Sequence, residues 1–134
     1  MTILIDANIL CGYADSGDIH HKNANKIIKE ISSGIYGKAV ITDYIFDEIV
    51  NVYLRKFGKK NAVDLGKFII NSEIFFINVD KLVFQKAWEL FQKDNNLSLT
   101  DCTSVTFMLL YNIDRIATLD KEFKTIKGIE VVDS

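Results

Sequence analysis

The sequence predicts an α/β fold, a three-layer α/β/α sandwich around a mainly parallel central sheet. Short apolar strands alternate along the chain with longer segments of helical periodicity, the pattern from which parallel α/β folds are built. The first strand, Ile3-Leu4-Ile5, is also an unbroken apolar run, which suits a parallel strand buried on both faces rather than a half-exposed strand. Right-handed crossovers then place helices on both faces of the sheet.

Each element has its own local signal. After Ile3 to Ile5 comes a short helix around Ile9 to Tyr13, and Ser16-Gly17-Asp18 marks a loop. Ala24, Ile27, Ile28 and Ile31 recur at helical spacing until Ser32-Ser33-Gly34, with Lys22, Lys26, Lys29 and Glu30 turned outward. Ala39-Val40-Ile41 reads as a second strand, followed by a helix from Asp43 to Phe57 that Gly58 ends. A helix over Asn61 to Ile70 precedes a third buried strand, Ile74 to Ile77. Helices from Lys81 to Lys93 and from Leu99 to Tyr111 follow. Arg115 to Thr118 is a fourth strand, then come a helical turn near Lys121 to Lys124 and a terminal strand, Glu130 to Val132.

With 134 residues, 49% hydrophobic and 25% charged, the chain belongs with globular domains and reads as one domain over residues 1–134. No internal repeat, low-complexity tract or linker interrupts it. No apolar run approaches the roughly 20 residues of a membrane span, and no basic segment precedes an apolar stretch at the N-terminus. The expectation is therefore a cytoplasmic protein with no membrane association. Cys11 and Cys102 lack a CxxC or histidine partner, so they read as small buried hydrophobes rather than zinc ligands or a disulfide. A net charge of −2 excludes the strongly basic signature of a nucleic-acid coat protein.

The candidate chemistry lies in carboxylates. Asp6 ends an apolar strand, which sets an acid at the C-terminal edge of the sheet, where open α/β folds build their sites. Glu48 lies in the helix after the second strand, Asp101 opens the helix after Ser98-Leu99-Thr100, and Asp120 follows the fourth strand. Each has a plainer explanation. Asp6 and Asp120 suit helix N-caps, Ser98 with Asp101 fits a capping box, and Glu48 shares a polar face with Asp47, Asn51 and Arg55. Taken together they fit a metal site better, because independent caps need not all fall at sheet rims. Converging oxygen ligands from separate segments suit Mg²⁺ or Mn²⁺, and Asn8 is placed to orient the Asp6 carboxylate.

These residues resemble the PIN-domain family of metal-dependent nucleases, including VapC-type toxins of toxin–antitoxin pairs, and the match runs across nearly the whole chain. Ile5-Asp6-Ala7-Asn8-Ile9-Leu10 is similar to the opening motif of the family. Thr42 with Glu48-Ile49 resembles its second acidic segment, Leu97-Ser98-Leu99-Thr100-Asp101 its third, and Thr118-Leu119-Asp120-Lys121-Glu122-Phe123 its fourth. The resemblance selects Glu48 over Asp47, a choice periodicity leaves open. It implies phosphodiester hydrolysis in RNA, with Mg²⁺ or Mn²⁺ held by Asp6, Glu48, Asp101 and Asp120 and Thr118 in a supporting role. It also implies a homodimer neutralised by a small antitoxin protein.

Competing classes are a PIN-like scaffold with little catalysis or an RNA-processing nuclease without an antitoxin. A phosphotransfer receiver domain needs an acidic pair after its first strand, and a dehalogenase-like phosphatase needs DxD there; Asn8 occupies the second acidic position. Arg55, Lys56, Lys59 and Lys60 either track a phosphate backbone or form a solvated helix end that complements the dipole. His20 and His21 read as solvent-facing residues at a helix start. Tyr44, Phe46, Tyr53 and Phe57 read as core or interface.

Overall fold

A computed structural model of the chain describes every residue except residue 94. Its elements run β1 (Thr2–Ile5), α1 (Ala7–Ala14), α2 (His21–Ser32), β2 (Lys38–Thr42), α3 (Asp43–Phe57), α4 (Lys59–Ile70), β3 (Phe75–Ile77), α5 (Lys81–Phe91), α6 (Leu99–Leu110), β4 (Arg115–Ala117), a 3₁₀ turn (Lys121–Thr125) and β5 (Glu130–Val132). The strands form one sheet in the order β3-β2-β1-β4-β5, and every neighbouring pair is parallel. The architecture is the three-layer α/β/α sandwich that the alternating pattern predicts.

The sheet is centred on β1. Ile3, Leu4 and Ile5 are fully buried, so apolar side chains pointing to both faces are covered, which is why the run does not alternate. Caps set the helix starts. The Thr42 hydroxyl accepts from the Ile45 amide at 3.2 Å to begin α3, and the Asp80 carboxylate accepts from the Val83 amide at 2.9 Å to begin α5. Gly58 adopts φ 87°, ending α3, and α4 starts at once at Lys59 instead of Asn61.

One strand departs from expectation. The segment read as a third buried strand is β3, which lies at the sheet edge with Phe75, Phe76 and Ile77 exposed to 51%, 43% and 39%. An unbroken apolar run does not distinguish a central strand from an edge one, because that depends on pairing elsewhere in the chain. Two contacts blunt the edge: the Phe76 ring meets Phe46 edge-on at 5.2 Å, and the Lys38 ammonium sits 5.0 Å from the Phe75 ring centre.

The approach to β2 requires glycine. Gly37 has φ +78°, and a Cβ there would lie 2.2 Å from the Met1 carbonyl oxygen, which accepts from the Lys38 amide at 3.1 Å. Gly34 has a similar φ of +84° but open space around it. Gly34→Ala is expected to lose about 1–2 kcal/mol of stability from the left-handed backbone alone. Gly37→Ala is expected to lose clearly more in the same urea titration, and equal losses would show that the close approach carries no weight.

Candidate metal centre

The chain moves outward from β1 through β2 to β3, then returns to the other side of β1 as β4. The C-terminal ends of β1 and β4 therefore flank a topological switch point, where an open parallel sheet leaves a crevice. Asp6 is the first residue beyond β1. Its amide donates to the Ala117 carbonyl at 2.9 Å, which continues the β1–β4 ladder and fixes its backbone. Its side chain is only 4% exposed.

Asp6 serves as a helix cap and as the centre of a polar network at once. Oδ1 accepts from the Ala7 amide at 2.8 Å, while Oδ2 accepts from the Thr118 hydroxyl at 2.7 Å and from the Asn8 amide nitrogen at 3.4 Å. A hydroxyl has one proton and two lone pairs. Thr118 gives its proton to Asp6 and accepts from Asn8 Nδ2 at 3.3 Å and from the Asp120 amide at 3.0 Å, so its capacity is filled. Asn8 Oδ1 accepts from the Leu119 amide at 3.1 Å, tying the loop after β4 to the start of α1.

The other acids are held by the helices they begin or belong to. Asp101 and Ser98 form a reciprocal capping box: the Asp101 amide donates to Ser98 Oγ at 3.1 Å, and the Ser98 amide donates to Asp101 Oδ2 at 3.2 Å. Asp120 Oδ1 accepts from the Glu122 amide at 3.0 Å and starts the 3₁₀ turn. Glu48 is half-buried on α3, whereas Asp47 is exposed and accepts from Asn51 at 3.0 Å on the solvated face.

Burial is the chief electrostatic influence on this group. It pushes Asp6 up to about 7 from an ordinary 3.8, with the charges of Asp101 and Glu48 adding, against the lowering bonds from Thr118 and Ala7. Glu48 is raised by burial, then by Asp101 and Asp47. Asp101 is raised by burial and by Asp120, although its bonds to Ser98 oppose the shift. Asp6, Glu48, Asp101 and Asp120 thus feel one another, and no Lys or Arg offsets the three raised groups among the described residues.

An anionic, all-oxygen donor set of this kind fits a hard divalent cation. Among the described residues, no three His, Cys, Asp or Glu side chains are gathered closely enough to enclose a metal ion as they stand. Mg²⁺ characteristically keeps several waters and takes one or two carboxylates together with substrate oxygens, so an open acidic crevice suits it better than a closed cage.

Sequence reasoning missed a neighbouring cavity. About 190 Å³ in volume, it lies between α1 and α3 and shares Asn8 and Glu48 with the acidic group, while the loop before α2 adds Asp18 and His20. No local signal marks it, because Ser16-Gly17-Asp18 reads only as a turn. Cys102 is buried, but Cys11 is half-buried and lines this cavity, where burial and Glu48 push its thiol up to about 11. His20 is exposed, whereas His21 Nδ1 is 2.9 Å from the Gly12 carbonyl, to which it donates. In the basic stretch, Lys56 pairs with Asp15 at 2.9 Å and Lys60 with Asp64 at 3.4 Å.

Comparison with known proteins agrees with the fold. Residues 3–129 match the PIN domain family. A VapC ribonuclease of Archaeoglobus fulgidus is 31% identical over 108 residues, covering 78% of this chain and 68% of that protein. The crystal structure of VapC20 of Mycobacterium tuberculosis, described as a sarcin-ricin loop cleaving toxin, superposes with a TM-score of 0.79 at 21% identity, covering 91% and 92% of the two chains. VapBC2 of Rickettsia felis, bound to a DNA fragment from its promoter, superposes with a TM-score of 0.73 at 15% identity over 98% of each chain. Among the described residues, no helix is long and apolar enough to cross a membrane.

The buried Asp6 carboxyl has a consequence for stability. Between about pH 4 and 7 the folded state keeps a proton there that the unfolded chain has released, so stability falls as pH rises through this window. Across the whole window the loss is about 4 kcal/mol. In metal-free protein, Asp6→Asn is expected to flatten this slope in urea titrations from pH 4 to 8 and to raise stability at pH 8. Thr118→Val is expected to move the Asp6 midpoint higher still, as read by carboxyl carbon NMR. Identical slopes for wild type and Asp6→Asn would contradict the assignment.

Proposed function

The chain belongs to the PIN-domain family, and we propose that residues 1–134 form a single nuclease domain that hydrolyses RNA with a divalent metal ion, acting as the toxin of a toxin–antitoxin pair. The observation that carries this reading is the set of mutually repelling, partly buried carboxylates at the β1–β4 switch point, with no cation to offset them among the described residues. The A. fulgidus relative bearing the name VapC ribonuclease supports it.

Asp6, Glu48, Asp101 and Asp120 would hold Mg²⁺ or Mn²⁺. Such an ion, when bound, supplies a Lewis acid for the scissile phosphate and a water of lowered pKa. It also reverses the sign of a site that would otherwise repel RNA. Thr118 and Asn8 orient the Asp6 carboxylate. Carboxylate oxygens have about four lone-pair sites between them, so Asp6 retains room for a ligand beyond the three bonds it accepts. The proton that Asp6 holds below about pH 7 competes with the cation, so apparent metal affinity rises with pH through that region.

A homodimer and an antitoxin partner are part of the same proposal. Large apolar side chains stand exposed on β3, on α5 at Leu82, Phe84 and Trp88, and on α6 at Leu109 and Leu110. Exposure of this extent favours protein partners. The second reading is a PIN scaffold that binds partners without cleaving RNA. It is favoured by those exposed apolar side chains, which suit partner binding whether or not RNA is cut.

Cleavage of single-stranded and structured RNAs separates the two. The wild type is expected to cut with Mg²⁺ or Mn²⁺ and to stop with a chelator. Thr118→Val should slow it about 10–100-fold, the usual effect of removing a bond that orients a ligand, and Asp6→Ala or Asp101→Ala should slow it more. Undiminished activity in both alanine variants would refute the site, and metal binding without cleavage would favour the scaffold. Light scattering is expected to give twice the 15.2 kDa chain mass, and a monomer at tens of micromolar would remove the dimer from the proposal.

A further inference from the structure

The cavity beside the carboxylates is small and chemically one-sided. At about 190 Å³ it falls below the roughly 300–1,000 Å³ of clefts that take drug-sized ligands, leaving room for a single planar ring system. Ala7 and Cys11 on α1, Val52 on α3 and Leu119 after β4 supply apolar surface. Asn8 and Glu48 belong to the cavity and to the acidic site alike, so a ring seated here adjoins the carboxylates.

The polar lining accepts hydrogen bonds far more than it donates them. Asn8 has no donor left, since its nitrogen donates to Asp6 and Thr118, and its oxygen, which accepts from Leu119, adds only acceptor capacity. Glu48 is committed to the cation on the reading above. That leaves Asp18, whose Oδ1 accepts from the His20 amide at 2.8 Å, which orients the carboxylate while leaving lone pairs on both oxygens. His20, exposed to solvent, also lines the cavity.

We propose that this cavity holds an unpaired guanine base next to the scissile phosphate, with Asp18 accepting from guanine N1–H and N2–H and the His20 imidazole stacking on the ring. This inference rests on the nuclease reading. Guanine alone among the RNA bases presents two adjacent N–H donors on its Watson–Crick edge. Adenine and cytosine place a ring-nitrogen acceptor beside their amino groups, which a carboxylate repels, and the imino group of uracil lies between two carbonyls. Unpaired bases are commonly read in this way, by hydrogen bonds to the Watson–Crick edge and stacking on aromatic side chains.

Two measurements on the full chain test it. In NMR titrations with nucleosides, guanosine is expected to shift the His20 ring resonances and to bind about tenfold or more tightly than inosine, which lacks the 2-amino group. Asp18→Asn should erase the guanosine–inosine difference, whereas His20→Ala should weaken all bases alike. In the second measurement, a single-stranded RNA pool is cut with Mn²⁺ present and its new ends are sequenced. Cuts are expected beside guanine, and Asp18→Asn should remove that preference. Equal binding of guanosine and inosine, or a guanine preference that survives Asp18→Asn, would overturn the proposal. Cleavage without guanine preference defeats the base pocket and leaves the nuclease reading intact. Selective guanosine binding without cleavage defeats the nuclease reading and leaves the pocket.

Discussion

The arrangement depends on one buried carboxylate held in place across two strands. Asp6 is withdrawn from water, yet its backbone is locked to β4 through Ala117 and its side chain to Thr118, so it neither swings into solvent nor escapes its neighbours. Burial of a charge without a counter-ion is unfavourable, and the group responds by holding its proton up to about pH 7. Glu48 and Asp101 then add like charge around it, and Asp120 adds it around Asp101. The resulting strain is electrostatic, and on the proposed reading a divalent cation would relieve it.

Capping economises on side chains. Asp6, Asp101 and Asp120 each satisfy helix or turn amides with one oxygen or lone pair, which fixes where the carboxylate stands while leaving acceptor capacity over. Carboxylates placed by helix starts and strand ends inherit the rigidity of the sheet. Glu48 is the exception, since it projects from within α3 and depends on that helix packing against α1.

Much of this was legible in the residues. The order of strands and helices follows from apolar runs and periodicity, with boundaries displaced by only a residue or two, as at Lys59 and Phe91. The capping-box pattern at Ser98 and Asp101 describes the observed hydrogen bonds, and the same sequence feature marks a candidate ligand. What escaped detection depends on contacts between distant segments. The edge position of β3 is set by pairing with β2 alone, and the cavity at Asp18 and His20 is made by a loop returning to α1 and α3. Nor does periodicity separate Asp47 from Glu48; the burial of one and the solvation of the other do.

The most direct test of a cation site centred on Asp6 is calorimetry of Mn²⁺ binding near pH 7, repeated in buffers of different ionisation enthalpy. If Asp6 holds a proton that the ion displaces, binding releases a substantial fraction of a proton at pH 7, the release diminishes by pH 9, and Asp6→Asn abolishes it. Binding with no proton release, or with the same release in Asp6→Asn, would contradict the account.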